Sequence, residues 1–167
     1  MIRGYDRRES ALLLAFVLAL LSLSGAWFSE LVLGLLPCKL CLLQRWPYYI
    51  GVPLLMIGAF LAKTEHGTGV ARIFALLAGT TFLVSIGLGV YHSGVEWGWW
   101  PGPADCGGKI ASGPALVEDF RKALEKARVI RCDEAAARVL GLSFAGWNAI
   151  ISTLIAVLAL RGISEKA

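Results

Sequence analysis

Four stretches without a single Asp, Glu, Lys or Arg dominate this chain: Ala11–Ser29, Trp46–Ala62, Ile73–Val95 and Val139–Leu160, of 19, 17, 23 and 22 residues. About 20 mainly apolar residues are enough to cross the hydrocarbon of a bilayer. Backbone polar groups in lipid must bond within their own segment, so each stretch is expected to be a helix. Helices of a soluble bundle would carry a charged face, and these have none. The second stretch reaches span length by starting a turn earlier and taking in Arg45. Its Gly51, Pro53 and Gly58 are tolerated inside a membrane bundle. Only 17% of residues are charged and 57% are hydrophobic, against about 25% charged in an average soluble domain. A water-soluble chain of 167 residues could not hide that much apolar surface. The net charge of +4 is scattered between apolar blocks without a dense basic patch, which excludes a nucleic-acid partner.

The expected architecture is an all-α membrane protein, a single integral domain over 1–167. It is a four-transmembrane-helix bundle with spans 11–30, 43–62, 72–92 and 143–161, a short first outer loop (31–42) and a long second one (93–142). The long loop is expected to carry a short amphipathic helix over Pro114–Arg128, with Leu116, Val117, Phe120, Leu124 and Ala127 on its apolar face. A second short helix is expected over Asp133–Leu140, stopped by Gly141. The first stretch has features of a cleaved signal peptide, but it runs past the usual length and three further spans follow, so it is read as retained. Arg3, Arg7 and Arg8 favour cytoplasmic termini, although seven basic residues in the long loop weigh the other way. Trp27, Trp46, Trp97, Trp99, Trp100 and Trp147 all lie toward the outer-loop side. They read either as a lopsided interfacial belt or as the aromatic walls of a site.

Two spans separate Cys38 and Cys41 from Cys106 and Cys132, so parity places all four cysteines on one side of the membrane. Cys38-Lys39-Leu40-Cys41 has the spacing that suits redox exchange, with one thiolate attacking and the other resolving. Cys106 and Cys132 have 25 residues between them, and a bridge there would clip the long loop. Two other readings compete. Zinc is disfavoured because only one pair is close and no His lies within either pair. Two structural disulfides are disfavoured because a bridge across so short a loop stabilises little. Cys41 is expected at the mouth of the second helix, where the dipole favours an anion. Arg45, one turn on, is expected to lower its pKa, unless it simply snorkels to the interface. His92 closes the third span on the cysteine side, either poised toward a carbonyl ligand near Arg45 or bonded to solvent. His66, in the opposite turn, is expected to be solvent-exposed.

Taken together, these residues resemble the DsbB family of bacterial thiol oxidoreductases. The likeness rests on Pro37-Cys38-Lys39-Leu40-Cys41 followed by Gln44-Arg45, on Tyr91-His92 ending the third span, and on Cys106 and Cys132 in the long loop. Gly141-Leu142 and Trp147 at the start of the fourth span add to it. The resemblance implies a multi-pass enzyme of the bacterial inner membrane with cytoplasmic termini and periplasmic cysteines. It implies reoxidation of a DsbA-like periplasmic thiol oxidase and reduction of ubiquinone or menaquinone from the membrane quinone pool. By that likeness DsbA attacks Cys106, Cys132 is released and engages Cys38, and Cys41 is freed as a thiolate facing the quinone. Arg45 and His92, with Gln44 beside them, would hold the quinone carbonyl oxygens; no metal is implied. Family members often carry an acidic residue where this chain has Gln44. Two alternatives stand beside this reading. One is a structural or chaperone-like four-helix membrane protein with static disulfides. The other is a vitamin K epoxide reductase-like quinone reductase, in which the Cys-x-x-Cys typically follows the long loop.

Overall fold

A computed structural model describes residues 7–64, 67–103 and 131–164. Four helices run through them: α1 (Arg7–Leu31), α2 (Lys39–Ala62), α3 (Thr68–Glu96) and α4 (Phe144–Ser164). Cys106, His66 and the amphipathic segment expected over Pro114–Arg128 lie outside the described residues.

The bundle is apolar on the outside as well as the inside. Leu14, Leu21, Phe60, Ile73, Val84 and Leu154 are all exposed, as befits helices whose outer solvent is lipid. Three helices are long and apolar enough to cross a membrane: Arg7–Leu31, Thr68–Glu96 and Phe144–Ile163. At 24 residues α2 has the length, but Arg45, Trp46, Pro47, Tyr48 and Tyr49 dilute its first half. The interior is built mainly from small residues, Ala15, Ala19, Ala59, Ala75, Ala78 and Ala159, around Leu12, Leu55, Phe82 and Ile155. Small side chains let helix backbones approach closely, which is how helices associate where no hydrophobic force drives them together. α1 and α3 each pack against both α2 and α4, and the latter two sit diagonally across the bundle. That leaves space between α1, α2 and α4 at one end.

The other end is tied by charge. Arg8 is buried and its Nε donates to the Gly162 carbonyl at 2.8 Å, joining α1 to α4. Lys63 reaches Glu9 at 3.1 Å, joining α2 to α1.

The helix expected over Asp133–Leu140 is absent. The chain there forms turns and then a minimal antiparallel hairpin, β1 (Arg138–Val139) and β2 (Leu142–Ser143), in register Arg138↔Ser143 and Val139↔Leu142. Leu140 and Gly141 between them both have positive φ, 52° and 83°, the signature of a type I′ two-residue turn. Gly141 is therefore a hairpin glycine and not a helix stop. Ser143 then accepts from Gly146 N–H at 3.2 Å, capping the first turn of α4. Trp147 Nε1 donates to Val139 O at 2.9 Å, which anchors the hairpin to α4.

Candidate active site

The site begins at the first residue before α2. Pro37 cannot donate a backbone hydrogen bond, and Cys38 follows it in an extended conformation as the N-cap of α2, its Sγ accepting from Cys41 N–H at 3.1 Å. Helix N-termini present unsatisfied N–H groups and partial positive charge, so a sulfur in this place is held where an anion is favoured. Cys41, one turn on, brings its Sγ to 2.6 Å from that of Cys38. Both thiols are free.

His92 of α3 places Nε2 at 3.6 Å from Cys38 Sγ. Its other ring nitrogen, Nδ1, accepts from Gln44 Nε2 at 2.7 Å. An Nδ1 that accepts leaves the ring proton on Nε2, which then points at the sulfur. One turn further along α3, Glu96 Oε1 lies 3.8 Å from the same Nε2, and both side chains are only 4% exposed. Glu96 Oε2 has no hydrogen-bond partner among the described residues.

These contacts split the two thiols. The contact with the Cys41 sulfur acts first, and His92 and the Cys41 backbone N–H add to it, so the Cys38 pKa falls to about 4 although burial opposes the shift. Cys41 is pushed up, first by that same contact with the Cys38 sulfur and then by burial. This corrects the expectation that Arg45 would make Cys41 the acidic member. Arg45 Nη1 instead donates to Glu30 Oε2 of α1 at 2.5 Å, Nη2 donates to Ala26 O at 3.2 Å, and the guanidinium lies 5.3 Å from the centre of the Trp27 ring. Nor does Arg45 snorkel: it is buried and paired.

Cys41, Gln44, Arg45 and His92 line one end of a cavity of about 510 Å³, walled by Phe28, Leu36, Val139, Phe144, Trp147 and Ile151. Tyr48 and Asn148 complete its floor. Tyr48 Oη donates to Asn148 Oδ1 at 2.7 Å, and Ser152 Oγ donates to Ser85 Oγ at 2.9 Å, so α2, α3 and α4 are bonded together beneath it. The tryptophans divide. Trp147 lines the cavity and Trp27 packs on Arg45, whereas Trp46, Trp97 and Trp99 are exposed.

Cys132 is 1% exposed and shares a buried cluster with Cys38, Leu40 and Val95, against which Cys41 also packs. It is disulfide-bonded. Three of the four cysteines therefore converge at one end of the bundle, and Cys106 lies outside the described residues. Sequence reasoning missed Glu30 and Glu96. Glu96 was signalled by its i, i+4 spacing from His92; Glu30 comes from another helix and carries no local signal.

The family model for disulfide bond formation protein DsbB matches residues 7–161. The chain belongs to the DsbB family. Among curated DsbB relatives, disulfide bond formation protein B of Marinobacter nauticus is 34% identical over 155 residues, covering 88% of this chain and 86% of that one. Disulfide bond formation protein B 1 of Pseudomonas fluorescens is 24% identical over 168 residues, covering 96% and 92%. An uncharacterized protein of Rickettsia prowazekii is 24% identical over 153 residues, covering 91% and 86%. No solved structure matches the chain. As a DsbB family member with long apolar helices, the chain is a membrane oxidoreductase of disulfide formation.

Proposed function

We propose that this DsbB family protein reoxidises a DsbA-like periplasmic dithiol oxidase and passes the electrons to a membrane quinone, ubiquinone or menaquinone. The carrying observation is a pair of free thiols 2.6 Å apart, opening on an apolar cavity of about 510 Å³ that has a single buried guanidinium at its rim. The cavity suits a lipid-soluble ring: its walls are Leu, Ile, Val and aromatic, and Arg45, Gln44, His92 and Asn148 are the polar groups that would meet carbonyl oxygens. When bound, a quinone supplies the two-electron acceptor that oxidising a strongly oxidising partner demands.

In this reading α2 is the fourth span. Its 24 residues reach about 36 Å at about 1.5 Å per residue, and its one charged side chain within the bundle is neutralised by Glu30. Spans 11–30, 43–62, 72–92 and 143–161 then leave loops 31–42 and 93–142 in the periplasm and both termini in the cytoplasm of the bacterial inner membrane. The chain's own residues divide the work. Cys106 takes the attack of the reduced partner, and Cys132 is released. Cys132 sits in one buried cluster with Cys38, where exchange transfers the disulfide. His92 holds its Nε2 proton toward Cys38, Gln44 fixes the ring, and Cys41 faces the cavity.

Arg45 does its work only where Glu30 and Ala26 hold it. Glu30→Gln, measured with a reduced DsbA-like partner and a short-chain ubiquinone in proteoliposomes, should raise the quinone KM by about tenfold, the loss of about 1.4 kcal/mol from a charge-assisted contact. Thiol exchange at Cys106 should be unaffected. No quinone consumption by the unsubstituted protein would refute the function, and an unchanged KM in Glu30→Gln would refute the role of Arg45.

A further inference from the structure

The sequence disfavours zinc at the cysteine pair because only one pair is close and no His lies within either pair. The fold supplies a histidine from 54 positions away. We propose that the reduced Cys38–Cys41 pair, with His92 and Glu96, forms a redox-gated site for a tetrahedral thiophilic divalent cation such as Zn²⁺.

The spacings around His92 Nε2 are those of a ligand set. Zinc binds sulfur at about 2.3 Å and nitrogen or oxygen at about 2.0–2.2 Å, so tetrahedral geometry sets sulfur and nitrogen about 3.6 Å apart and nitrogen and oxygen about 3.4 Å apart. Cys38 Sγ and His92 Nε2 are 3.6 Å apart, and His92 Nε2 and Glu96 Oε1 are 3.8 Å apart. The ligand atoms of Cys38, Cys41 and His92 all lie within 4.8 Å of one another. Glu96 brings the second observation: a carboxylate 96% removed from solvent whose Oε2 has no partner among the described residues. A cation would supply it.

Three adjustments are needed, and all are in side chains. Glu96, which lies near His92 but outside the set of mutually close ligand atoms, must swing its carboxylate toward the sulfurs. The sulfurs, now 2.6 Å apart, must separate by about 1 Å to reach the spacing of two zinc-bound thiolates. Cys41 borders the cavity, so its side chain has room to turn. Binding at Nε2 moves the ring proton to Nδ1, where the Gln44 amide can present its carbonyl in place of its N–H₂. Gln44 would then be the outer partner that orients a metal-bound histidine. Binding displaces the remaining thiol proton and moves no electrons. A disulfide between Cys38 and Cys41 removes two ligands and releases the ion, so the bound ion holds the pair reduced and idle.

The test needs neither DsbA nor a quinone, so its outcome is separate from that of the function proposed above. The full chain carrying Cys106→Ala and Cys132→Ala, reduced and freed of reductant in nanodiscs, is titrated with Co²⁺ alone. One equivalent should bind, with a thiolate-to-cobalt charge-transfer band and the strong visible bands of a tetrahedral site, and Zn²⁺ should bleach both. Oxidation to the disulfide should abolish binding. His92→Ala and Glu96→Gln should each weaken it by about tenfold or more, and Gln44→Ala by about 10–100-fold. In the unsubstituted reduced chain, stoichiometric Zn²⁺ should protect Cys38 and Cys41 from alkylation, a readout that stands if the cysteine variants fold poorly. Absence of the bands and of protection, or binding that survives oxidation, would overturn the site. Equal binding in His92→Ala and Glu96→Gln would reduce it to chelation by thiols alone and overturn it equally.

Discussion

Replacing Cys41 by Ser should lower quinone reduction by about a thousandfold or more, the scale on which loss of a reacting nucleophile is felt. Of the paired thiols, Cys41 borders the cavity while Cys38 is turned inward to the N-cap, His92 and the cluster with Cys132. A serine cannot form the disulfide that releases two electrons. The substitution is nearly isosteric, and Cys38 keeps its bonds from His92 and the Cys41 backbone N–H. The bundle should therefore fold, and a mixed disulfide at Cys106 with the partner should still form. The measurement is the rate of loss of quinone ultraviolet absorbance in proteoliposomes, beside gel detection of the mixed disulfide. Retention of even a tenth of the rate would move the electron exit elsewhere.

The second large effect is on pH. The Cys38 pKa lies near 4, against about 8.5 for a free cysteine. A lowered pKa means that the thiolate prevails above the folded value and is lost only as pH falls through it. In the reduced Cys106→Ala, Cys132→Ala protein, alkylation of Cys38 should stay near its plateau from pH 8 down to pH 6 and halve only near pH 4. An ordinary thiol would lose about tenfold per unit across the same range, because the thiolate is the reacting form. His92→Ala should move the midpoint upward, since it removes a donor to the sulfur. A midpoint near 8.5 in the unsubstituted site would show that the N-cap and its neighbours do not stabilise the thiolate.

Much of this was legible before the fold was known, because a membrane leaves few choices. Uncharged stretches announce helices, and Pro37 before Cys38 announces where α2 starts. A Cys-x-x-Cys at a helix start is a redox sign on chemical grounds alone. What was not legible is what distant residues decide. Arg45 was assigned to Cys41 because helical spacing was the one relation visible; Glu30, 15 residues back on α1, takes the guanidinium instead. The acidity passed to Cys38 for a similar reason, since its donors are Cys41 and a histidine 54 residues away. Gln44 is not idle: it fixes the tautomer of His92, and the carboxylates of the site come from α1 and α3. The segment 133–140 misled because its composition is helical, with three alanines and mixed charge. The I′ turn at Leu140–Gly141 and the Trp147 bond to Val139 override that propensity. Leu140 is an unusual residue for positive φ, and it is 90% exposed.

The most direct test is a single turnover without the protein partner. The Cys106→Ala, Cys132→Ala protein, reduced and mixed with excess short-chain ubiquinone in nanodiscs, should consume one quinone per chain and yield a Cys38–Cys41 disulfide detectable by peptide mass. A pair that stays reduced while the quinone is untouched would contradict the claim that these two sulfurs and the cavity beside them form one electron-transfer site.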